Sequence, residues 1–182
     1  FRPYYLQIPD ARAQLGTPPT VALTATATTA VREDILELLE LPDAVEVVRG
    51  FDRPNITWSV FRTDKKWERL RAVVDAVPGT GIVYVPTRRD AARWRKRLDA
   101  HGVSVAAYHG GLDSEAREHR QQAWVDDDVR VMVATNAFGM GIDKPDVRFV
   151  VHMAPPSSLE SYYQEAGRAG RDGKQAHAEL LS

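Results

Sequence analysis

Gly81-Ile-Val-Tyr-Val85-Pro-Thr-Arg-Arg-Asp-Ala-Ala-Arg-Trp-Arg-Lys-Arg-Leu-Asp-Ala100 is the stretch from which the fold of this chain can be read. Its opening run, Gly81 to Val85, is continuously apolar, which predicts a buried strand. Thr87 is placed to cap a helix that runs from Arg88 to about Ala100. A buried strand followed at once by a helix is the repeating unit of a parallel sheet covered by helices.

The same alternation continues on both sides of this stretch. It predicts further strands at Ile56–Phe61, Val103–Tyr108, Val129–Ala134, Val147–His152 and Gln175–Leu181. It predicts further helices at Asp64–Val77, Asp113–Trp124 and Ser157–Arg168. The expected fold is therefore α/β, with three layers: a parallel sheet and helices on both of its faces. Such sheets bind ligands at the carboxyl ends of their strands, so the loops that follow the strands are the candidate site.

Residues 1–50 follow a different pattern. Thr20–Ala27 is a compact run of small and β-branched residues, which predicts a buried strand whose end carries several hydroxyl groups. Val31–Leu41 has apolar residues at helical spacing and is ended by Pro42. A strand and a helix with no sheet of their own to join are interpreted as the end of a preceding domain. The expected domains are therefore residues 1–50 and residues 51–182.

Composition restricts the classes of function. Of the 182 residues, 43% are apolar, enough for a core, and the formal net charge of −1 means that any nucleic-acid contact must come from local placement. The absence of cysteine excludes disulfides and fits a reducing cytoplasm. The five histidines lack ligand spacing, so no metal site, zinc included, is expected. There is no signal peptide and no apolar run near the roughly 20 residues of a membrane span, so no membrane partner is expected.

The strongest candidate site is Ser161-Tyr-Tyr-Gln-Glu-Ala-Gly-Arg-Ala-Gly-Arg-Asp-Gly173. Arg168 and Arg171 are three residues apart, which places both guanidinium groups on one side of a helical turn. The glycines around them permit close backbone approach and then end the helix. Paired planar cations suit a multiply charged anion such as a nucleotide phosphate. The alternative is a solvated basic helix end, favoured there by the helix dipole.

A second candidate follows the predicted strand Val129–Ala134. In Thr135-Asn-Ala-Phe-Gly-Met-Gly-Ile-Asp-Lys-Pro145, Gly139 and Gly141 permit close approach of backbone amides to an anion. Thr135 offers a hydroxyl to a phosphate, and Asp143 is a carboxylate for ribose hydroxyls. The alternative is a flexible glycine loop without a ligand.

Two further strand ends carry candidate contacts to a nucleic-acid backbone. Tyr108-His-Gly-Gly-Leu112 can present His109 and the amide of Gly110 to a phosphate, or it is simply a tight turn between strand and helix. Arg88 and Arg89 begin a strongly basic helix and are better placed for a ligand than its other cations. The alternative for that helix is a solvated charged face.

Other chemistries find no support in the chain. There is no Gly-x-Ser-x-Gly elbow and no nucleophile triad pattern. There is also no Gly-x-x-x-x-Gly-Lys-Ser/Thr loop and no acidic strand end for Mg²⁺. These residues can touch a nucleotide, but they lack the groups that cradle and hydrolyse it.

Several motifs together resemble the RecQ branch of superfamily 2 DNA helicases. They are Ala22-Leu-Thr-Ala-Thr-Ala27, Phe51-Asp-Arg-Pro-Asn55, Tyr108-His-Gly-Gly-Leu112, Ala134-Thr-Asn-Ala-Phe-Gly-Met-Gly-Ile-Asp-Lys-Pro-Asp-Val-Arg-Phe-Val-Val-His152 and the stretch Ser161–Gly173. Their order and spacing match over essentially the whole chain. DEAD-box RNA helicases share the arginine pair but not Ala137-Phe-Gly-Met-Gly-Ile142. The chain departs from many members at Pro86-Thr-Arg88, where they carry Asn-Ser-Arg.

The resemblance implies two RecA-like (P-loop NTPase-like) lobes with ATP between them and Mg²⁺ held by the first lobe. Residues 1–50 would end the first lobe and the interlobe linker, with Thr24 and Thr26 as a coupling motif, and residues 51–182 would form the second lobe. The resemblance implies the following roles: Arg171 as arginine finger, Arg168 assisting it, Gln164 organising the interface, Asp143 with Gly139 and Gly141 at the nucleotide, and Thr135, His109, Gly110, Arg88 and Arg89 at the DNA backbone.

The expected function is thus part of a 3′-to-5′ ATP-dependent DNA helicase acting in DNA repair and recombination, with single-stranded or forked DNA and the first lobe as partners. Its expected location is the bacterial cytoplasm, at the nucleoid. Without a P-loop, this chain alone is expected to be inactive. Two alternatives remain open: a non-enzymatic nucleic-acid-binding lobe, and an RNA helicase or translocase of the same superfamily.

Overall fold

A computed structural model describes residues 6–24, 27–48, 52–139 and 142–182. The chain divides into two compact units, Phe1–Phe51 and Asp52–Ser182. The described part of the first unit contains α1 (Ile8–Gln14) and α2 (Thr29–Leu38). The second unit contains β1 (Ile56–Phe61), α3 (Lys66–Ala76), β2 (Thr80–Tyr84), α4 (Arg88–Asp99), β3 (Val105–Tyr108), α5 (Ser114–Val125), β4 (Val131–Ala134), β5 (Val147–His152), α6 (Leu159–Ala166) and β6 (Ala176–Leu181).

The six strands form one parallel sheet in the order β1-β6-β5-β2-β4-β3. The chain moves outward from β2 to β3, returns through β4, and then crosses to β5 on the other side of β2. This reversal brings the carboxyl ends of β4, β2 and β5 side by side. Crevices at such reversals are where open α/β sheets bind ligands.

Side chains alternate between the two faces of the sheet, and each face carries its own hydrophobic core. Val83 of β2 belongs to the core beneath α3 and α4, with Leu70 and Trp94. Its neighbours Ile82 and Tyr84 belong to the opposite core, with Trp124 of α5 and Ala166 of α6. The predicted three-layer α/β fold is confirmed.

The first unit contradicts one prediction. Residues 20–24 of the predicted strand Thr20–Ala27 have no regular structure, and Val21 and Leu23 are 80% and 90% exposed. A strand needs a neighbour to bond its backbone, and the described residues of this unit provide none. The helix that follows is α2, whose amino end is capped by Thr28 accepting from the Val31 amide at 3.3 Å.

The last helix, α6, differs from prediction at both ends. Its cap is Ser158, whose hydroxyl accepts from the Ser161 amide at 3.1 Å, so the expected capping residue Ser157 lies outside the helix. The helix ends at Ala166, before either arginine of the candidate site. Arg168 and Arg171 therefore lie in the turn that follows, and the prediction of a helical pair is wrong.

Candidate functional site

The arginine turn, residues 167–173, joins α6 to the strand β6. Gly170 has a φ of +58°, and its amide donates to the Val147 carbonyl at 2.8 Å. A Cβ at this position would lie 2.7 Å from the carbonyl oxygen of Lys174, so only glycine fits. The turn thus reverses the chain against the start of β5 and presents two guanidinium groups from a short, tightly bent segment.

Two side chains from the segment before β1 hold this turn. The Arg53 guanidinium donates to the carbonyls of Gly167 at 2.9 Å, Ala169 at 2.8 Å and Gly170 at 3.0 Å. The Asn55 amide donates to the carbonyls of Gly170 at 2.7 Å and Lys174 at 2.9 Å. The sequence places Arg53 and Asn55 in the motif Phe51-Asp-Arg-Pro-Asn55 but gives neither a role, because their partners are more than 100 residues away.

An ion pair fastens the far end of the turn. Arg148 of β5 and Asp172 approach to 2.6 Å, and the Arg148 side chain is 15% exposed. The hydrogen bond from Arg148 lowers the pKa of the Asp172 carboxyl below its ordinary value. Together with Arg53 and Asn55, this pair fixes the backbone on both sides of the two candidate arginines.

Arg168 points inward, beneath the glycine loop (residues 135–146). A Cβ on Gly139 would lie 2.8 Å from its Nη2, so the absence of a side chain at Gly139 makes room for the guanidinium. The Nε of Arg168 is buried and has no hydrogen-bond partner among the described residues. A buried donor without a partner is costly and is satisfied when an anion arrives. This arrangement suits a phosphate oxygen at the edge of the loop.

Arg171 points outward from the same turn. Its Nη1 donates to the Ile142 carbonyl at 3.1 Å and lies 3.2 Å from the Asp143 carboxylate. The Arg171 and Asp143 side chains are 38% and 89% exposed, so this ion pair is weak and free to exchange. Gln164 is exposed on α6, and Gly141 lies outside the described residues.

The glycine loop is anchored by a buried lysine that sequence reasoning passed over. Lys144 donates to the Val125 carbonyl at 3.0 Å and to Asp127 at 2.8 Å, and it lies 3.2 Å from Asp146. Burial would lower the pKa of Lys144, but its two carboxylate partners outweigh burial and raise it, so the group stays charged. Asp127 therefore helps to anchor the glycine loop, although Asp126-Asp-Asp128 by itself is typical of a solvated turn.

The strand-end loops, residues 86–89 and 109–112, meet the first turn of the glycine loop. A Cβ on Gly111 would lie 2.6 Å from Nη1 of Arg88, and a Cβ on Gly110 would lie 3.9 Å from Ala137. The Thr135 amide donates to the Tyr108 carbonyl at 3.1 Å. The structure therefore brings the predicted backbone-binding residues of three loops to one edge of the sheet.

The cations of this edge are available to a ligand. Arg88 and Arg89 are exposed, and neither pairs with a carboxylate of the described residues. The Nδ1 atom of His109 is buried without a partner in the same part of the chain. Thr135 is only 7% exposed. In this conformation Thr135 therefore supports the loop mainly through the hydrogen bond of its backbone amide, and less through its hydroxyl.

The remaining predicted residues belong to the first unit. Thr24 lies in the exposed irregular segment before α2, and Thr26 lies outside the described residues. Within the described ranges, no group of three or more His, Cys, Asp or Glu side chains is placed to hold a metal ion. No helix in those ranges is both long and apolar enough to span a bilayer.

Comparison with known proteins identifies the family. The model of the helicase conserved C-terminal domain matches residues 65–173. The chain is 46% identical over 182 residues to the ATP-dependent DNA helicase RecQ of Haemophilus influenzae, and 43% identical over 189 residues to the probable ATP-dependent DNA helicase RecS of Bacillus subtilis. Both matches cover 100% of this chain but only 29% and 37% of the relatives, so the chain spans about a third of their length.

Solved structures agree on the fold. Saccharomyces cerevisiae Dbp5 bound to RNA and ADP BeF3 matches with a TM-score of 0.73 and 22% identity, over 94% of this chain and 47% of that one. At this identity the likeness concerns the fold, which is that of RecA-like helicase C-terminal domains. The motifs, the family match and the fold lead to one conclusion: the chain belongs to the helicase conserved C-terminal domain family, in its RecQ branch.

Proposed function

We propose that residues 51–182 are the second motor lobe of a RecQ-type, 3′-to-5′ ATP-dependent DNA helicase, and that residues 1–50 end the first lobe and the interlobe linker. The observation that carries this proposal is the arginine turn. Two guanidinium groups lie at the edge of the glycine loop, and the backbone between them is held by Arg53, Asn55 and Arg148. Such a rigid pair of cations suits a charge that develops in a transition state.

In this proposal Arg171 acts as the arginine finger. Its weak pair with Asp143 is exchanged for the γ-phosphate of an ATP molecule held by the first lobe, and Arg168 assists from below. Charge developing on the transferred phosphoryl group is then stabilised, an effect worth roughly 10³–10⁵ in rate. Asp143, released from Arg171, is free to face the ribose, and Gln164 organises the interface between the lobes.

The grip on DNA comes from the strand-end loops. Arg88, Arg89 and His109, with the amide of Gly110, contact backbone phosphates, while the glycine loop with Thr135 borders the same edge. A few such contacts bind a strand without a strongly basic domain, which fits a net charge of −1. The choice of DNA rests on the curated relatives, which are named DNA helicases.

The proposal divides the labour between two lobes. In this proposal Mg²⁺ and the triphosphate are held by the first lobe. Thr24 and Thr26 couple the nucleotide state of that lobe to the second lobe. Without a P-loop, this chain by itself does not hydrolyse ATP. A chromosomal DNA substrate places the protein's site of action at the nucleoid, in the bacterial cytoplasm.

The experiment is ATP hydrolysis with and without single-stranded DNA, on this chain and on the same chain extended upstream by roughly 200 residues, about one further domain. We expect turnover only in the longer chain, rising with DNA. Turnover by the short chain would refute the division of labour. No turnover in either would favour a nucleic-acid-binding lobe without a motor, and stimulation by RNA alone would favour an RNA helicase.

A further inference from the structure

Tyr84, the last residue of the central strand β2, occupies a position between the arginine turn and the glycine loop. Its side chain is 4% exposed. Its hydroxyl donates to the carbonyl of Phe138 at 2.9 Å, and this hydrogen bond is buried. None of the sequence motifs singled out this residue, because an apolar strand ending in tyrosine looks like ordinary core.

The arginine turn reaches the residue that follows Phe138. A Cβ on Gly139 would lie 2.8 Å from Nη2 of Arg168, so the guanidinium packs against the backbone one residue beyond the carbonyl that Tyr84 holds. Burial raises the pKa of Tyr84, and the positive charge of Arg168 acts in the opposite direction, which agrees with a guanidinium near the hydroxyl. Tyr84 thus fixes the point of the glycine loop against which Arg168 packs.

The ring of Tyr84 is fixed by its neighbours. It stacks on His152 with ring centroids 5.0 Å apart and an interplanar angle of 20°. The Nε2 atom of His152 in turn lies 2.7 Å from the Glu165 carboxylate on α6. Because both the ring and the hydroxyl are held, the Tyr84 side chain cannot rotate freely. A displacement of one neighbour therefore also moves the others.

Phe138 continues the connection toward the strand-end loops. The Phe138 amide donates to the Thr135 carbonyl at 3.0 Å, and the Thr135 amide donates to the Tyr108 carbonyl at 3.1 Å. The rings of Phe138 and Tyr108 pack at 4.8 Å. His109 and Gly110 follow Tyr108 directly, so the path ends at the residues that face the nucleic-acid backbone.

We propose that the Tyr84 hydroxyl is a positioning group that couples occupation of the strand-end loops to the placement of Arg168 in the arginine turn. A shift of the 135–138 turn moves the Phe138 carbonyl, and the hydrogen bond from Tyr84 determines how far Gly139, and the Arg168 guanidinium packed against it, follow. The proposal rests on the function proposed above, since it assumes that DNA and a phosphate bind at these two places.

The test replaces Tyr84 by phenylalanine in the full-length helicase. This change deletes one oxygen and keeps the ring that stacks on His152. We expect the ratio of ATP turnover with saturating single-stranded DNA to turnover without DNA to fall roughly fivefold. Affinity for a fluorescent single strand should stay within about twofold, because a side chain this deeply buried cannot contact the strand.

Tyr162→Phe is the matched control. Tyr162 also packs against His152, with ring centroids 4.9 Å apart, but its buried hydroxyl has no partner in the described residues. We expect this variant to keep the wild-type stimulation ratio. An unchanged stimulation ratio in Tyr84→Phe would overturn the coupling. If turnover then falls equally with and without DNA, the hydroxyl is merely structural. If the wild type itself shows no stimulation by DNA, the proposed function fails, and the coupling with it.

Discussion

The arginine turn and the strand-end loops both present arginines at the ligand edge of one sheet, but they hold them differently. In the arginine turn, Arg53 and Asn55 together make four hydrogen bonds to its carbonyls and a fifth to the carbonyl of the next residue, Lys174, and the Arg148–Asp172 pair closes the far end. In the strand-end loops, Arg88 and Arg89 are exposed and pair with no carboxylate of the described chain. One region is held in place before a ligand arrives, and the other is free to adapt.

The difference matches the two tasks proposed for them. Stabilising a transition state requires charges that are already in position. If the charged groups had to reorient during the reaction, the free energy of that reorganisation would offset the stabilisation. Gripping a strand that moves requires contacts that form and break, and screened, flexible side chains do this at low cost. In the proposed function, the same residue type therefore serves catalysis or DNA binding according to the rigidity of its surroundings.

The largest effect is expected from Arg171→Ala in the full-length helicase. Loss of the finger removes charge stabilisation in the transition state alone, so turnover at saturating ATP should fall by roughly 10³-fold or more. Nucleotide binding, measured by titration of a fluorescent analogue, should be largely retained. A variant that lost nucleotide affinity while keeping turnover at saturation would contradict the role of Arg171.

Arg53→Ala tests whether rigidity of the arginine turn matters. It removes three hydrogen bonds, and of the three carbonyls only that of Gly170 keeps a side-chain donor, Asn55, so the free energy of unfolding should fall by about 2–3 kcal/mol. The turn also loosens, and a displacement of about 1 Å is enough for a turnover loss on the order of 10²-fold. Urea unfolding and steady-state ATP hydrolysis measure the two effects.

Arg130→Ala separates stability from positioning. Arg130 also donates to three carbonyls, those of Val74, Val77 and Gly79, but at the opposite end of the sheet. The Arg130→Ala variant should lose about as much free energy of unfolding as Arg53→Ala. Its ATP turnover should stay unchanged at temperatures where both variants are folded. Equal loss of turnover in the two variants would mean that Arg53 acts only through global stability.

A smaller effect is expected from Arg88→Ala and Arg89→Ala in the strand-end loops. Each should weaken binding of single-stranded DNA by roughly three- to tenfold and reduce the salt dependence of log Kd by about 0.7. Fluorescence anisotropy over a range of salt concentrations measures both quantities. Lys96→Ala removes the same charge from the far end of α4, and an equal loss there would point to a non-specific effect of charge.

The smallest effect concerns pH. Because Arg148 lowers the pKa of Asp172 in the folded state, the ion pair stabilises the fold above the ordinary carboxyl pKa of 3.8 and is lost as pH falls below it. Between pH 5 and pH 3, the urea midpoint of the wild type should therefore fall more steeply than that of Asp172→Asn. Parallel curves for the two proteins would show that the pair contributes nothing to stability.

Much of the fold was predictable because its signals are local. Gly81–Val85 is apolar throughout, and Val147–His152 is apolar except for Arg148 and His152. Such runs are typical of strands covered on both faces, and each is found in the sheet within one residue of its predicted bounds. Thr87 caps α4 as expected, accepting from the Asp90 amide at 3.0 Å. The loops of the candidate site followed from the same rule, since parallel strands gather their carboxyl ends at one edge.

The failures share a physical cause, which is that they depend on partners distant in sequence. Residues 20–24 have the composition of a strand, but composition cannot supply a neighbouring strand to bond them. Ending α6 at Ala166 depends on the Gly170 turn, which packs on β5 and is held by Arg53. The sequence does not distinguish Lys144 from a surface cation, because its three oxygen partners surround it only in the folded chain.

The sequence by itself determined the class of fold and the RecQ branch of the family, because periodicity and motif spacing are properties of neighbouring residues. The residues that face a ligand stay a prediction from the same signals. Tertiary structure alone decided which arginines are held and which are free. It also placed the Tyr84 hydroxyl against the Phe138 carbonyl, and Arg53 under a turn 114 residues away. Those contacts arise when the sheet assembles, since only its strand order brings these distant segments within hydrogen-bonding distance.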